Sequence, residues 1–219
     1  METLRSMMQT LPLLLQAAVA TILISLVSLC FAFLIGTAVC AVSFSRSRPL
    51  RWLGMAHVHF FRGVPLLVQL LMLYYLLPVL GINMSSLTAA IIAVSFCSSA
   101  YMAEILRGGF LGIPPGQLEA AHLLGLSGLQ TLVRIQMPQA LRLTLPSLVN
   151  EVLLVIKASS LVSVVGVAEL TRTAQNIAAS NYRPLETYFL VGVAYFAINS
   201  LLSRLGHLGE RRLARAHTS

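Results

Sequence analysis

The residues able to do chemistry in this chain are sparse, and a few occupy positions where charge is costly. All seven acids are glutamates, so no mechanism can be built on an aspartate. Glu151, next to Asn150, falls in the middle of an apolar stretch. A charge at the centre of a membrane helix costs about 2.5–3.5 kcal/mol and usually faces a cavity or the bundle interior. Two roles fit it: receiving a cationic group of a ligand, or pairing internally with a nearby base. Lys157, Ala158, Ser159 and Ser160 interrupt the same stretch, and broken helices at membrane depth expose backbone groups to a substrate. Asn150, Glu151, Lys157, Ser159 and Ser160 are therefore the substrate-pathway candidates. Glu104 and Arg107, three residues apart, suit a helical ion pair. His57 and His59, two apart, point to different helix faces and read as interfacial rather than metal-binding. Cys30, Cys40 and Cys97 lie apart, with neither a CxxC pair nor a ligand cluster, so no disulfide framework or metal site is expected. HExxH, GxSxG and the GxxxxGK[ST] phosphate loop are absent, so no catalytic residue is assigned and ATP hydrolysis is not expected in this chain.

Composition explains what must position these groups. Hydrophobic types make up 57% of the 219 residues and charged types 10%, against about 25% charged in a soluble domain. That surface cannot be met by water, and the chain reads as an all-α membrane protein. Forty uncharged residues separate Arg5 from Arg46. A crossing helix needs about 20, so this stretch holds one long span with an interfacial lead-in around Leu11–Gln16. Its length also exceeds the roughly 7–15 residues of a signal-peptide core. Thr21, Ser25, Ser28, Ala32, Gly36 and Cys40 recur at steps of three and four, a seam for close helix packing. A second span follows Pro65 and ends near Leu80-Gly81, with Tyr74 and Tyr75 toward an interface. A third covers about Leu87–Leu106, with its own seam of Ser86, Ala90, Ala93, Cys97 and Ala100. A fourth runs Leu143–Ile156 and resumes over Leu161–Val167, and a fifth spans about Thr187–Ser203. Five spans put the termini on opposite sides. With the N-terminus outside and the C-terminus inside, eleven of the fifteen basic residues fall on segments 45–62, 107–142 and 204–219, as the positive-inside rule requires. The net charge of +8 is then a topology label. Arg211, Arg212 and Arg215 fit an anchor near anionic lipid.

Residues 108–142 are too organised for a plain connector. Pro114-Pro115 stop one helix, and Gln117 to Ala121 begin another. The run continues Glu119-Ala120-Ala121-His122-Leu123-Leu124-Gly125, nine residues, then Ile135-Gln136-Met137-Pro138. This predicts a short helix, a turn at Gly125, and a second helix stopped by Pro138. Ala120, Ala121 and Gly125 would leave a smooth notch for a partner. Glu119 would pair with a base on that partner or complete the helix N-terminus, where an acid is favourable. Arg134 and His122 either contact the same partner or are solvated.

The segment closely resembles the EAA loop of ABC-importer permeases, with Met137 standing where leucine is usual. Three further stretches are similar to the polar amino acid permeases: Phe61 to Gln69, Ala100 to Gly109, and Ser160 to Leu170. The resemblance spans residues 60 to 175 and departs at Ala158, where the family usually has aspartate; the missing carboxylate bears on substrate charge preference or on the role of the subunit. It implies a single transmembrane domain over residues 1–219 in the bacterial cytoplasmic membrane, with a cytoplasmic coupling helix formed by Glu119, Ala120, Ala121, Gly125, Ile135 and Pro138. It further implies import of a polar amino acid by alternating access. The implied partners are two ATP-binding subunits that use ATP and Mg, a second permease subunit (the same chain or a related one), an external solute-binding protein and membrane lipid. No cofactor is expected on this chain. An importer for another small solute is the nearest alternative. A membrane-embedded enzyme lacks a nucleophile–base set, and a nucleic-acid-binding anchor would need a clustered basic face rather than arginines split among loops.

Overall fold

The computed structural model describes residues 2–215, with side chains over 10–210. Arg5, Arg211, Arg212 and Arg215 lie outside the described side chains. Among the described residues eight helices follow one another: α1 Glu2–Ser43, α2 Arg48–Gly63, α3 Leu66–Val79, α4 Ser86–Leu111, α5 Pro115–Leu123, α6 Gly128–Val165, α7 Leu170–Asn181 and α8 Pro184–Arg215. Among the described residues α1, α4, α6 and α8 are each long and apolar enough to cross a membrane; α2 and α3 make a fifth crossing only if taken as one span bent by 105°.

The second predicted span is therefore the short one. Its 14 residues rise about 21 Å at 1.5 Å each, less than the roughly 30 Å hydrocarbon core. The preceding stretch, expected as a loop, is helix α2, which turns Gly54 and Val58 inward and leaves Arg51, Trp52 and Leu53 exposed. Leu11–Gln16 is likewise no separate lead-in: α1 runs straight through it and buries Leu14 and Ala17 against Leu170, Ala174 and Val191.

Pro138 does not stop its helix. A π turn over Leu132–Gln136 precedes it, with the Met137 amide bonded to the Leu132 carbonyl, and α6 continues to Val165. A second π turn, Met72–Leu76, stands just as far ahead of Pro78. Proline lacks an N–H and its ring crowds the carbonyl four residues back; a wider turn moves that carbonyl aside and lets the helix pass. At Lys157–Ser160 the chain does not unwind either. The α-helix tightens to a 3-10 helix over Ser159–Val165 and ends at Gly166.

The centre of the bundle is α4, with α1 on one side and α6 on the other. Both predicted seams are where they meet. Thr21, Ser28, Ala32, Ala90, Ala93 and Ala100 are fully buried, and Ser95 Oγ donates to the Ser28 carbonyl at 3.2 Å. Lipid gives apolar side chains no reason to hide, so helices hold by close contact of small residues. At Gly36 a Cβ would stand 2.9 Å from both Met102 Cβ and the Ser99 carbonyl.

Helix α7 had no counterpart in the predicted spans. Its N-cap is Glu169, which is 0% exposed. The carboxylate accepts from the Arg172 amide at 2.7 Å, the Thr171 amide at 2.9 Å, the Tyr195 hydroxyl at 3.0 Å and, more loosely, the Thr21 hydroxyl at 3.5 Å. One side chain thus joins α1, α7 and α8. Burial pushes the Glu169 carboxyl up from its usual range, against the pull of these donors.

Two stability outcomes follow. Gly36→Val should destabilise the detergent-purified protein by about 1–3 kcal/mol, the usual cost of overpacking. Glu169→Ala leaves the Thr171 and Arg172 amides without their acceptor and takes one from the Tyr195 hydroxyl, and should cost about 2–3 kcal/mol. Tyr195→Phe removes a single donor and should cost about 1 kcal/mol. Thermal unfolding of the three variants checks the order; equal midpoints for Glu169→Ala and Tyr195→Phe would contradict the shared-acceptor account.

Candidate functional site

Glu151 sits on the stripe of α6 that packs toward α4, in line with Ala140, Thr144 and Val155. It is 5% exposed, and its Oε1 accepts a 2.7 Å hydrogen bond from Ser98 Oγ on α4. The partner is a neutral hydroxyl rather than the base that an internal ion pair would need. The carboxylate opens on a cavity of about 410 Å³ whose walls include Arg62, Val64, Cys97, Ser98, Tyr101 and Ala158. Of the five substrate-pathway candidates Glu151 alone lines this space. Asn150 and Lys157 are exposed on other faces of α6, because successive residues of a helix diverge by about 100°. Ser159 Oγ donates to the Ile156 carbonyl and Ser160 Oγ to the Lys157 carbonyl, each at 2.7 Å. Both hydroxyls thus serve the tightened helix end.

The bend between α2 and α3 supplies the opposite wall. Pro65 has no N–H for the Phe61 carbonyl four residues back. The buried side chain of Gln69 closes the gap, its Nε2 donating to Phe61 O at 2.9 Å and to Val64 O at 2.7 Å. This clamp gives the Phe61-to-Gln69 segment its physical sense and sets Arg62 at the corner. There the guanidinium lies 5.3 Å from the centre of the Tyr101 ring, with Nη1 3.7 Å from Glu104 Oε2. The Glu104–Arg107 pair forms as the spacing predicted, with two contacts of 2.8 Å. His57 and His59 do diverge: His57 Nε2 meets Ser99 Oγ at 2.9 Å, while His59 lines a second cavity. Sequence reading missed Arg62, Ser98 and Tyr101 as site residues, and Glu169 as a hub. Arg62 lies inside the Phe61-to-Gln69 motif, and the signal that could have found Glu169 is an acid closing the apolar run 161–168.

The predicted coupling segment folds as helix α5, a turn and the start of α6. Gly125, at φ +74°, takes the left-handed position, with Leu126 N bonded to Ala121 O and Gly125 N to His122 O. This is the glycine-dependent C-cap. Ser127 and Gln130 then cap the start of α6 reciprocally, and Gln139 Nε2 bonds Gln117 Oε1 at 2.6 Å, tying α5 to α6. Ala121 is 1% exposed and faces its own chain, so the notch consists of Ala120 and Gly125 without it. The helix begins at Pro115, which places Glu119 beyond the first turn and removes its capping role. Glu119, Ala120, His122 and Arg134 are exposed, while Ile135 and Pro138 are half-buried. Leu123, 89% exposed, projects beside them.

Comparison with known proteins bears directly on this architecture. Residues 32–215 match the family described as binding-protein-dependent transport system inner membrane component. The L-cystine transport system permease protein TcyB of Bacillus subtilis (strain 168) is 39% identical over 196 residues, 89% of this chain and 84% of that one. The glutamine transport system permease protein GlnP of Escherichia coli (strain K12) is 37% identical over 209 residues, 93% of this chain and 94% of the other. A crystal structure of an amino acid ABC transporter with histidines superposes with a TM-score of 0.90 at 36% identity, covering 94% of this chain and 97% of that one. The MetNI methionine ABC transporter, at 21% identity and a TM-score of 0.79 over 94% and 98% of the two chains, shares the fold. The chain belongs to the inner-membrane components of binding-protein-dependent transport systems, and among them to the amino-acid ABC transporter permeases.

Proposed function

We propose that this permease imports a polar amino acid with a neutral side chain, and that Glu151 receives the ammonium group of the zwitterion. The observation that carries the reading is a buried carboxylate, bonded to a neutral hydroxyl, opening on a cavity whose opposite charge is Arg62. One negative and one positive group match the two ends of an amino acid. The volume suits a small ligand. Ala158 lines the cavity without adding charge, so no second acid is there to hold a cationic side chain.

The chain lies in the bacterial cytoplasmic membrane with its N-terminus outside and its C-terminus inside, an orientation supported by the distribution of arginines. Helix α4 then descends to the cytoplasm, and Glu119, Ala120, Gly125 and the exposed leucines around them face an ATP-binding subunit. Two such subunits hydrolyse ATP with Mg, and their closure moves α5, which joins the inner ends of α4 and α6. This switches the cavity between outward and inward access. A second permease subunit completes the pathway, and an external solute-binding protein delivers the amino acid.

The test is ATP-driven accumulation by the complete complex in proteoliposomes, with labelled L-glutamine, L-cystine and L-arginine. The neutral amino acids should be preferred. Glu151→Gln should lower accumulation by about tenfold or more, since a hydrogen bond to a charged group contributes about 1.5–3 kcal/mol, while the ATP-binding subunits still copurify. Unchanged uptake would sink the role of Glu151. Ala158→Asp adds a carboxylate to the cavity wall and should raise the arginine-to-glutamine ratio by about tenfold, the equivalent of about 1.4 kcal/mol. A ratio that stays put would remove the charge-selection argument.

A further inference from the structure

Arg62 stands where two cavities meet. The larger one holds Glu151, Ser98 and Tyr101. The second, of about 290 Å³, lies between α1, α2 and α4 and holds His59, Glu104 and Arg107. Of all the residues lining these spaces, Arg62 is the one they share. Both cavities are also walled by α4, the larger by Ser98 and Tyr101 and the second by Glu104 and Arg107. Ser98, Tyr101, Glu104 and Arg107 follow at steps of three over roughly 13.5 Å, a polar line that winds half-way round α4 and so passes from the first cavity to the second.

The contacts of the guanidinium are unequal. Glu104 is already gripped by Arg107 through two hydrogen bonds of 2.8 Å. Arg62 reaches the same carboxylate only at 3.7 Å, beyond hydrogen-bond distance, and its side chain is 44% exposed. Its other hold is the face of the Tyr101 ring. A long ion contact and a ring face keep the side chain in place without locking it. A carboxylate entering from the Glu151 side would offer the closer, two-oxygen partner that Arg107 has already taken from Glu104.

We propose that Arg62 is the movable partition between two successive stations for the same zwitterion. At rest on Tyr101 and Glu104 it separates the cavities. Drawn away by the ligand's carboxylate, it joins them, and the amino acid passes from Glu151 to the Glu104–Arg107 end. The inference rests on the transport reading above and extends it to a second binding station and the residue that divides the path.

The experiment uses the complete complex in proteoliposomes loaded with whichever of L-glutamine, L-cystine or L-arginine the unmodified complex accumulates. Efflux without ATP is measured. The unmodified complex should retain the label. Arg62→Ala should release it on the order of tenfold faster, as a barrier lowered by about 1.4 kcal/mol would, and Arg62→Lys, which keeps the charge facing Glu104, should stay tight. Glu104→Gln, which takes the anion from Arg62, should leak like Arg62→Ala, and it decides the matter if Arg62→Ala fails to assemble with the ATP-binding subunits. Tight vesicles for both Arg62→Ala and Glu104→Gln, or lost accumulation without any leak, would overturn the partition. An unmodified complex that accumulates none of the three amino acids would remove the transport reading together with it.

Discussion

Hydrocarbon offers no hydrogen bonds, so every backbone group that leaves its helix must be met by the chain itself. This constraint explains the irregular places in the fold. At the α2–α3 corner the Gln69 amide takes the carbonyls that Pro65 and the bend leave unmet. Ahead of Pro138, and equally ahead of Pro78, a π turn absorbs the missing donor and the crowding ring. At the end of α6 the helix tightens instead of opening, and Ser159 and Ser160 return their hydroxyls to the carbonyls of the last α turn. At the start of α7, Glu169 receives two amides that no helical carbonyl could reach. At the α2–α3 corner the repair also sets Arg62 beside the cavity.

The same surroundings set the packing rules. Since lipid does not drive apolar side chains inward, α4 is central because its small residues let α1 and α6 approach, with Gly36 seated against the backbone of Ser99. Large apolar residues go outward, as Phe189, Phe196 and Leu201 do on α8. Charges are few, and three of the acids have identified partners. Glu104 holds Arg107, Glu169 ties three helices together, and Glu151 shares a hydroxyl with α4 beside a cavity. Of the three, Glu151 alone is bonded to nothing but a neutral hydroxyl beside a cavity, which is what singles it out.

Helix α4 links the site to the predicted coupling surface. It carries Ser98 and Tyr101 at the cavity, Glu104 and Arg107 further along, and then leads into α5. Helix α5 follows α4 along the chain and is tied to α6 through the Gln117–Gln139 bond.

What the sequence by itself determined are local properties. Run length marked the spans, steps of three and four marked both packing seams and the Glu104–Arg107 pair, and a charge in an apolar stretch marked Glu151. The EAA-like segment identified the class of protein because its glycine and proline positions are legible one residue at a time. Only the tertiary structure decided which groups meet. Ser98 and Glu151 are 53 residues apart, and Arg62 reaches Glu104 and Tyr101 across a corner between two helices. The tertiary structure also decided that Pro138 is passed rather than obeyed, that Ala121 faces inward, and that Asn150 and Lys157 turn away from the cavity. Sequence periodicity describes one helix against its own axis. Which face becomes a wall depends on the neighbours packed against it, and those arrive from elsewhere in the chain.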